Sequence, residues 1–190
     1  KHKEIEIKQR VEGGEQFPFF EVPLEIYINE FVEEVVPTNR NIMEPCYLMR
    51  DRSTVEKNFE ALIDSLDEVE WWFKNGVNKL EYLGIKYEYP SNRIRSFYPD
   101  FIVKYVDGTI GVFETKSKGD DENFGGLNLK TKAKAEALFA WRNEIQKAGK
   151  KIRAGIVIVD DKKIWINESN SFDIEKANGG DWSEWSPFKM

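Results

Sequence analysis

Residues 98–115 read Tyr-Pro-Asp-Phe-Ile-Val-Lys-Tyr-Val-Asp-Gly-Thr-Ile-Gly-Val-Phe-Glu-Thr, and no other stretch restricts the fold as strongly. Two runs rich in β-branched and aromatic residues, Tyr98 to Tyr105 and Thr109 to Thr115, flank Asp107-Gly108, which signals a hairpin. The apolar run Gly155-Ile156-Val157-Ile158-Val159 has the length of a buried strand. Between them, helical periodicity covers about Leu129 to Lys147 and stops before Gly149. A hairpin, a helix and a buried strand in that order predict an α/β domain with one mixed central sheet.

Upstream, Ser53 or Thr54 can cap a helix whose inner face carries Val55, Phe59, Leu62, Ile63 and Leu66. A second helical stretch is expected over about Glu68 to Leu80, followed by Gly84. A strand at 85–89 is broken by Pro90-Ser91-Asn92. The polar segment Ser117 to Gly126 reads as a loop, and Lys151 to Val159 and Lys163 to Asn167 as strands. The core order is then helix, strand, strand, strand, helix, strand. Residues 1–50, with prolines at 18, 23, 37 and 45, read as an irregular N-terminal extension packed on a core at 51–167. Within the extension, Lys3 to Lys8 alternates like a strand and Glu30 to Val36 reads as a short helix. Residues 168–190, with Trp182 and Trp185, form a tail without usable periodicity.

Composition removes several chemistries. The one histidine is His2, so His-assisted hydrolases lack their base and His-ligated metal enzymes their ligands. The single cysteine, Cys46, excludes an internal disulfide and a multi-cysteine zinc site. No apolar run approaches the length of a membrane-spanning helix, and no signal-peptide pattern appears. An intracellular, cytoplasmic setting is the expectation. Net charge is −6, yet it is uneven. Residues 1–40 hold five Lys/Arg against nine Asp/Glu, whereas residues 86–134 hold nine against seven. Any nucleic-acid affinity must therefore come from a local basic face. The chain begins at Lys1, which points to part of a longer polypeptide.

The remaining chemistry falls on carboxylates and lysines. Asp100 opens the second strand; Glu114, Thr115 and Lys116 close the third. Alternation places Glu114 and Lys116 on one face. A two-residue turn would set Asp100 opposite Thr115, on the wrong face. A three-residue loop, Val106-Asp107-Gly108, sets Tyr105 opposite Thr109 and Asp100 opposite Glu114. A strand bulge would do the same. Facing carboxylates repel, and a divalent cation offsets that. Hard oxygen ligands without His or Cys suit Mg²⁺, with Mn²⁺ a substitute. Lys116 can then hold an attacking water or stabilise charge on a phosphate.

These residues resemble the PD-(D/E)xK nuclease superfamily. Ser53-Thr54-Val55-Glu56-Lys57-Asn58-Phe59, Val69-Glu70-Trp71-Trp72-Phe73-Lys74, Tyr98-Pro99-Asp100-Phe101-Ile102-Val103 and Val112-Phe113-Glu114-Thr115-Lys116 are similar in order and spacing to the nuclease domain ending the restriction subunit of type III restriction enzymes. The resemblance covers about residues 53–160. It implies a restriction-endonuclease-like αβββαβ core that cuts double-stranded DNA with Mg²⁺. Asp100, Glu114 and the carbonyl of Thr115 would bind metal, Lys116 would be the catalytic lysine, and Glu56 would complete the site. Partners implied are a helicase ATPase region in the same longer chain and a methyltransferase/specificity subunit, in a bacterium or phage. The chain itself holds no Gly-x4-Gly-Lys-Ser/Thr. A silent DNA-binding or assembly module, a RecB-like exonuclease and a junction resolvase are the rival readings.

Other residues have plainer roles to weigh. Glu56 stands three residues after Ser53, the spacing of a capping box. Glu60, one turn on, reads as solvated. Arg93 and Arg95 in the turn before Asp100, together with Lys118, Lys130, Lys132 and Lys134, are the candidate DNA contacts. Asp120, Asp121 and Glu122 read as an acidic loop. Trp71, Trp72 and Trp141 read as core aromatics.

Overall fold

The computed structural model describes residues 4–9, 16–17, 20–76, 82–89, 93–118, 126–160 and 162–188. The first third holds short strands: β1 (Glu4–Gln9), β2 (Gln16–Phe17), β3 (Phe20–Glu21), β4 (Glu25–Asn29), β5 (Glu33–Val35), β6 (Met43–Glu44) and β7 (Tyr47–Met49). The core follows with α1 (Thr54–Ser65), β8 (Val69–Lys74), β9 (Ile85–Tyr89), β10 (Arg93–Phe97), β11 (Phe101–Tyr105), β12 (Ile110–Thr115), α2 (Leu129–Lys147), β13 (Ile152–Asp160) and β14 (Lys163–Asn167). Helix α3 (Ile174–Asn178) and β15 (Ser186–Pro187) complete the tail.

The central sheet has six strands in the order β15-β14-β13-β12-β11-β8. Only β12 and β13 run parallel, joined through α2, so the sheet is mixed. Because neighbouring strand residues point to opposite faces, the sheet carries two cores. Phe101, Val103 and Phe113 pack against Phe59 and Ile63 of α1. Ile102, Val112 and Ile156 pack with Ala135, Leu138 and Phe139 of α2. The Phe59 ring meets Phe101 and Phe113 edge-on at centroid distances of 5.2 and 5.5 Å. Burying each such ring contributes about 1.5–3 kcal/mol. Trp71 and Trp72 are buried, and Trp141 packs partly buried against the α2 core. No helix among the described residues is long and apolar enough to cross a membrane.

Two expected helices fold otherwise. Val69 to Lys74 is a strand, paired antiparallel with β11 from Trp72↔Val103 to Lys74↔Phe101. Its apolar spacing, Val69, Trp72 and Phe73, mimics a helix because both faces of this strand are covered. Residues 77–80 of that expected helix lie outside the described residues. Glu30 to Val36 forms a turn leading into β5. Between α1 and α2 the chain holds five strands, of which β8, β11 and β12 belong to the central sheet. The 85–89 strand pairs with β10 in a separate two-stranded ladder.

Residues 20–50 contribute to both cores. Val22, Ile28, Ile42 and Met43 join the α2 side, and Cys46 and Leu48 join the α1 side. The free edge of β8 is covered by residues 40–42, where Trp72 N–H donates to the Arg40 carbonyl and Ile42 N–H to the Trp72 carbonyl, each at 2.9 Å. That cover removes the pairing hazard of an open edge.

Candidate active site

The hairpin loop sets the geometry. Tyr105 N–H donates to the Thr109 carbonyl and Gly108 N–H to the Tyr105 carbonyl, both at 2.9 Å. The loop is thus three residues long, and Phe101 lies opposite Phe113. Gly108 has φ = 80° with open space where a Cβ would stand, so its conformation alone calls for glycine. The paired register ends there: beyond it the Asp100 carboxylate, rather than the facing backbone, accepts from the Thr115 N–H. Asp100 thus lies at the Thr115 side chain, which alternates to the face opposite Glu114.

Glu114 is almost wholly enclosed, its side chain 3% exposed. Its Oε1 accepts from Lys116 Nζ at 2.6 Å and from Lys134 Nζ, on α2, at 2.7 Å. Lys116 Nζ also donates to the Thr115 carbonyl at 3.0 Å. Across the hairpin, Asp100 Oδ2 accepts from the Thr115 N–H and hydroxyl, both at 2.7 Å. Asp100 Oδ1 lies 3.3 Å from Lys74 Nζ, which donates to Glu56 Oε1 at 2.6 Å. The Lys74 ammonium rests 4.1 Å from the centroid of the Phe101 ring. Two acid–lysine clusters therefore meet at Asp100, one on each face of the hairpin's end.

Burial opposes the charge on Asp100, but the ammonium groups of Lys74 and Lys116 and the Thr115 hydrogen bonds outweigh it and hold the carboxyl at about 2. Burial likewise opposes the charge on Lys116, and Glu114 and Asp100 outweigh it, moving that amine upward. Lys74 moves upward for the same reason, through Asp100 and Glu56. Glu56 moves downward: its own burial is outweighed by Lys74.

Glu56 also closes the capping box, its Oε2 accepting from Ser53 N–H at 2.8 Å while its own N–H donates to Ser53 Oγ at 3.2 Å. Both carboxylate oxygens are thereby engaged. Glu60 is buried rather than solvated, its Oε2 3.1 Å from Arg52 Nε. Burial pushes its carboxyl upward against the pull of Arg52.

Of the candidate DNA contacts, only Lys134 reaches the carboxylates. Arg93 and Arg95 lie in β10 rather than in a turn, exposed, with the Arg95 guanidinium 4.3 Å from the Tyr89 ring centroid. Neighbouring Tyr87, its hydroxyl pushed upward by burial, lies within electrostatic reach of Arg95 and Glu114. Lys118 pairs with Asp160 at 2.9 Å, Lys130 is exposed, and Lys132 lies 3.9 Å from Glu136. Asp120, Asp121 and Glu122 lie outside the described residues. Sequence reasoning missed Lys74; reading 69–74 as a strand would have placed it beside Phe101 at the Asp100 end.

A groove of about 260 Å³ runs from Glu56, Lys74 and Asp100 toward Ile26, Tyr47 and Met49, so the first third of the chain forms part of its wall. Among the described residues, no three His, Cys, Asp or Glu side chains are grouped to hold a metal. Glu114 Oε1 and the Thr115 carbonyl nevertheless both accept from one cation, the Lys116 ammonium, and Asp100 lies within its electrostatic reach. That all-oxygen donor set fits a hard divalent ion. No family model, no curated protein and no solved structure matches this chain.

Proposed function

We propose that this chain is a Mg²⁺-dependent endonuclease domain with a restriction-endonuclease-like core, hydrolysing phosphodiester bonds of double-stranded DNA. In this reading it is the nuclease part of a type III restriction enzyme, working with a helicase ATPase region of a longer chain and a methyltransferase/specificity subunit. One observation supports the reading: past the three-residue loop, Asp100 accepts from the N–H and hydroxyl of Thr115, beside Glu114, and the Lys116 ammonium donates to Glu114 Oε1 and the Thr115 carbonyl.

Asp100, Glu114 and the Thr115 carbonyl would hold the ion, which when bound supplies Lewis acidity and a more acidic water. Lys134 keeps Glu114 charge-balanced once Lys116 turns away from it. The released Lys116 ammonium then donates to the attacking water or to a nonbridging phosphate oxygen, where charge develops. Arg93, Arg95, Lys118, Lys130 and Lys132 remain candidate phosphate contacts on the surface around it.

A second reading also has an observation behind it. Three ammonium groups match the three carboxylates Glu56, Asp100 and Glu114, so the cluster is neutral as it stands. A silent DNA-binding or assembly module would keep that state. The test is nicking of supercoiled plasmid with Mg²⁺. Cleavage that EDTA stops and that Lys116→Ala lowers by about 10²–10³-fold is expected. Undiminished cleavage in the variant would remove Lys116 from the mechanism. Metal binding and cleavage both absent, even with partners present, would leave the silent module.

A further inference from the structure

The Lys74 ammonium stands where a second divalent ion would otherwise sit. It is 2.6 Å from Glu56 Oε1 and 3.3 Å from Asp100 Oδ1, bridging the two acids. A Mg²⁺ ion shared by those acids would need to approach an oxygen of each to about 2.0–2.1 Å, inside the volume Lys74 fills. The lysine is also fixed in place. Its side chain is 18% exposed, and its head lies against the Phe101 ring.

The two clusters differ in what they can release. Glu114 has two ammonium groups on one oxygen, so Lys116 can leave and Lys134 still balances the charge. Glu56 and Asp100 share Lys74 as the ammonium that bridges them, and its departure would leave two neighbouring carboxylates unbalanced. The second oxygen of Glu56 is held by Ser53 N–H in the capping box. With Oε1 on Lys74 and Oε2 on the cap, Glu56 has no oxygen left for an ion while Lys74 is present.

We infer that Lys74 is a built-in substitute for a second metal, so the site takes one divalent ion, between Asp100, Glu114 and the Thr115 carbonyl. Lys74 is a positioning residue in this scheme. It balances the charge of Asp100 and Glu56 without touching the reacting phosphate. The inference rests on the nuclease reading and assigns its metal count.

Calorimetric titration of the whole chain with MnCl₂ tests it. One ion is expected in the wild type and in Lys74→Arg, and two in Lys74→Met. Two ions in the wild type, or one in Lys74→Met, would overturn the inference and leave the nuclease reading standing. No ion in the wild type would overturn both. Should Lys74→Met not fold, Glu56→Gln in the otherwise native chain decides. One ion bound with less than about a fivefold loss of affinity supports the inference, and any larger loss makes Glu56 a ligand and overturns it.

Discussion

The Glu114 and Asp100 clusters lie at the end of the same hairpin and solve the same problem differently. Glu114 is enclosed and has two lysines, whereas Asp100 and Glu56 are about one-quarter and one-fifth exposed and share one. One cluster therefore has an ammonium to spare and the other a carboxylate. Side by side, they give a site that is polarised across the sheet. Negative charge is in excess around Asp100 and Glu56, and positive charge around Glu114. Neutrality overall keeps the buried charges tolerable, since an unpaired buried charge is among the most destabilising groups in a fold.

The largest expected effect tests whether Glu114 depends on both lysines. Replacing Lys116 and Lys134 together by Met leaves it buried and unpaired, at an expected cost of about 3–5 kcal/mol in urea unfolding. Either replacement alone should cost much less, because the other ammonium remains on Oε1. Single variants as damaging as the double would break the shared-oxygen description.

A smaller effect belongs to the Asp100 side. Its folded pKa, about 2, lies below the ordinary value of 3.8, so its contribution is complete above pH ~4 and is lost as pH falls through ~2. The amount is about 2 kcal/mol. Unfolding measured from pH 5 to 2 should show that loss, and Asp100→Asn should show correspondingly less of it. An unchanged acid limb in the variant would mean that Lys74 and Thr115 do not hold this carboxylate as described.

The smallest effect comes from a solvated pair on the same helix as Lys134. Lys132 and Glu136 are 3.9 Å apart and about half exposed. Lys132→Ala should therefore change stability by no more than about 0.5 kcal/mol. If Lys132 touches a phosphate, the same variant should lower the salt slope of DNA binding by about one unit. A stability loss as large as that of the buried lysines would erase the contrast between the two environments.

Several features were legible from local chemistry alone. Asp107-Gly108 gave the hairpin, and the three-residue loop expected there is present, whereas the Asp100 carboxylate goes to Thr115. Ser53 and Glu56 gave the capped start of α1, and Gly149 the end of α2. The 69–74 segment was misread for a definite reason. Periodicity reports one buried face, and β8 has two, between the cores and beneath the 40–42 cover. Glu60 was misread similarly, because its burial depends on Arg52, which reaches it from before the helix.

The sequence by itself determined the hairpin, its register from Phe101 to Lys104, and the placing of Glu114 and Lys116 two residues apart on one strand end. Each of these rests on backbone geometry and side-chain alternation over a few residues. Only the tertiary structure decided which ammonium answers which carboxylate. Lys74 comes from a strand paired across the sheet, and Lys134 from a helix that crosses its other face. Such pairings follow from where distant elements pack, and electrostatics in a buried site depends on distance in space rather than on separation along the chain.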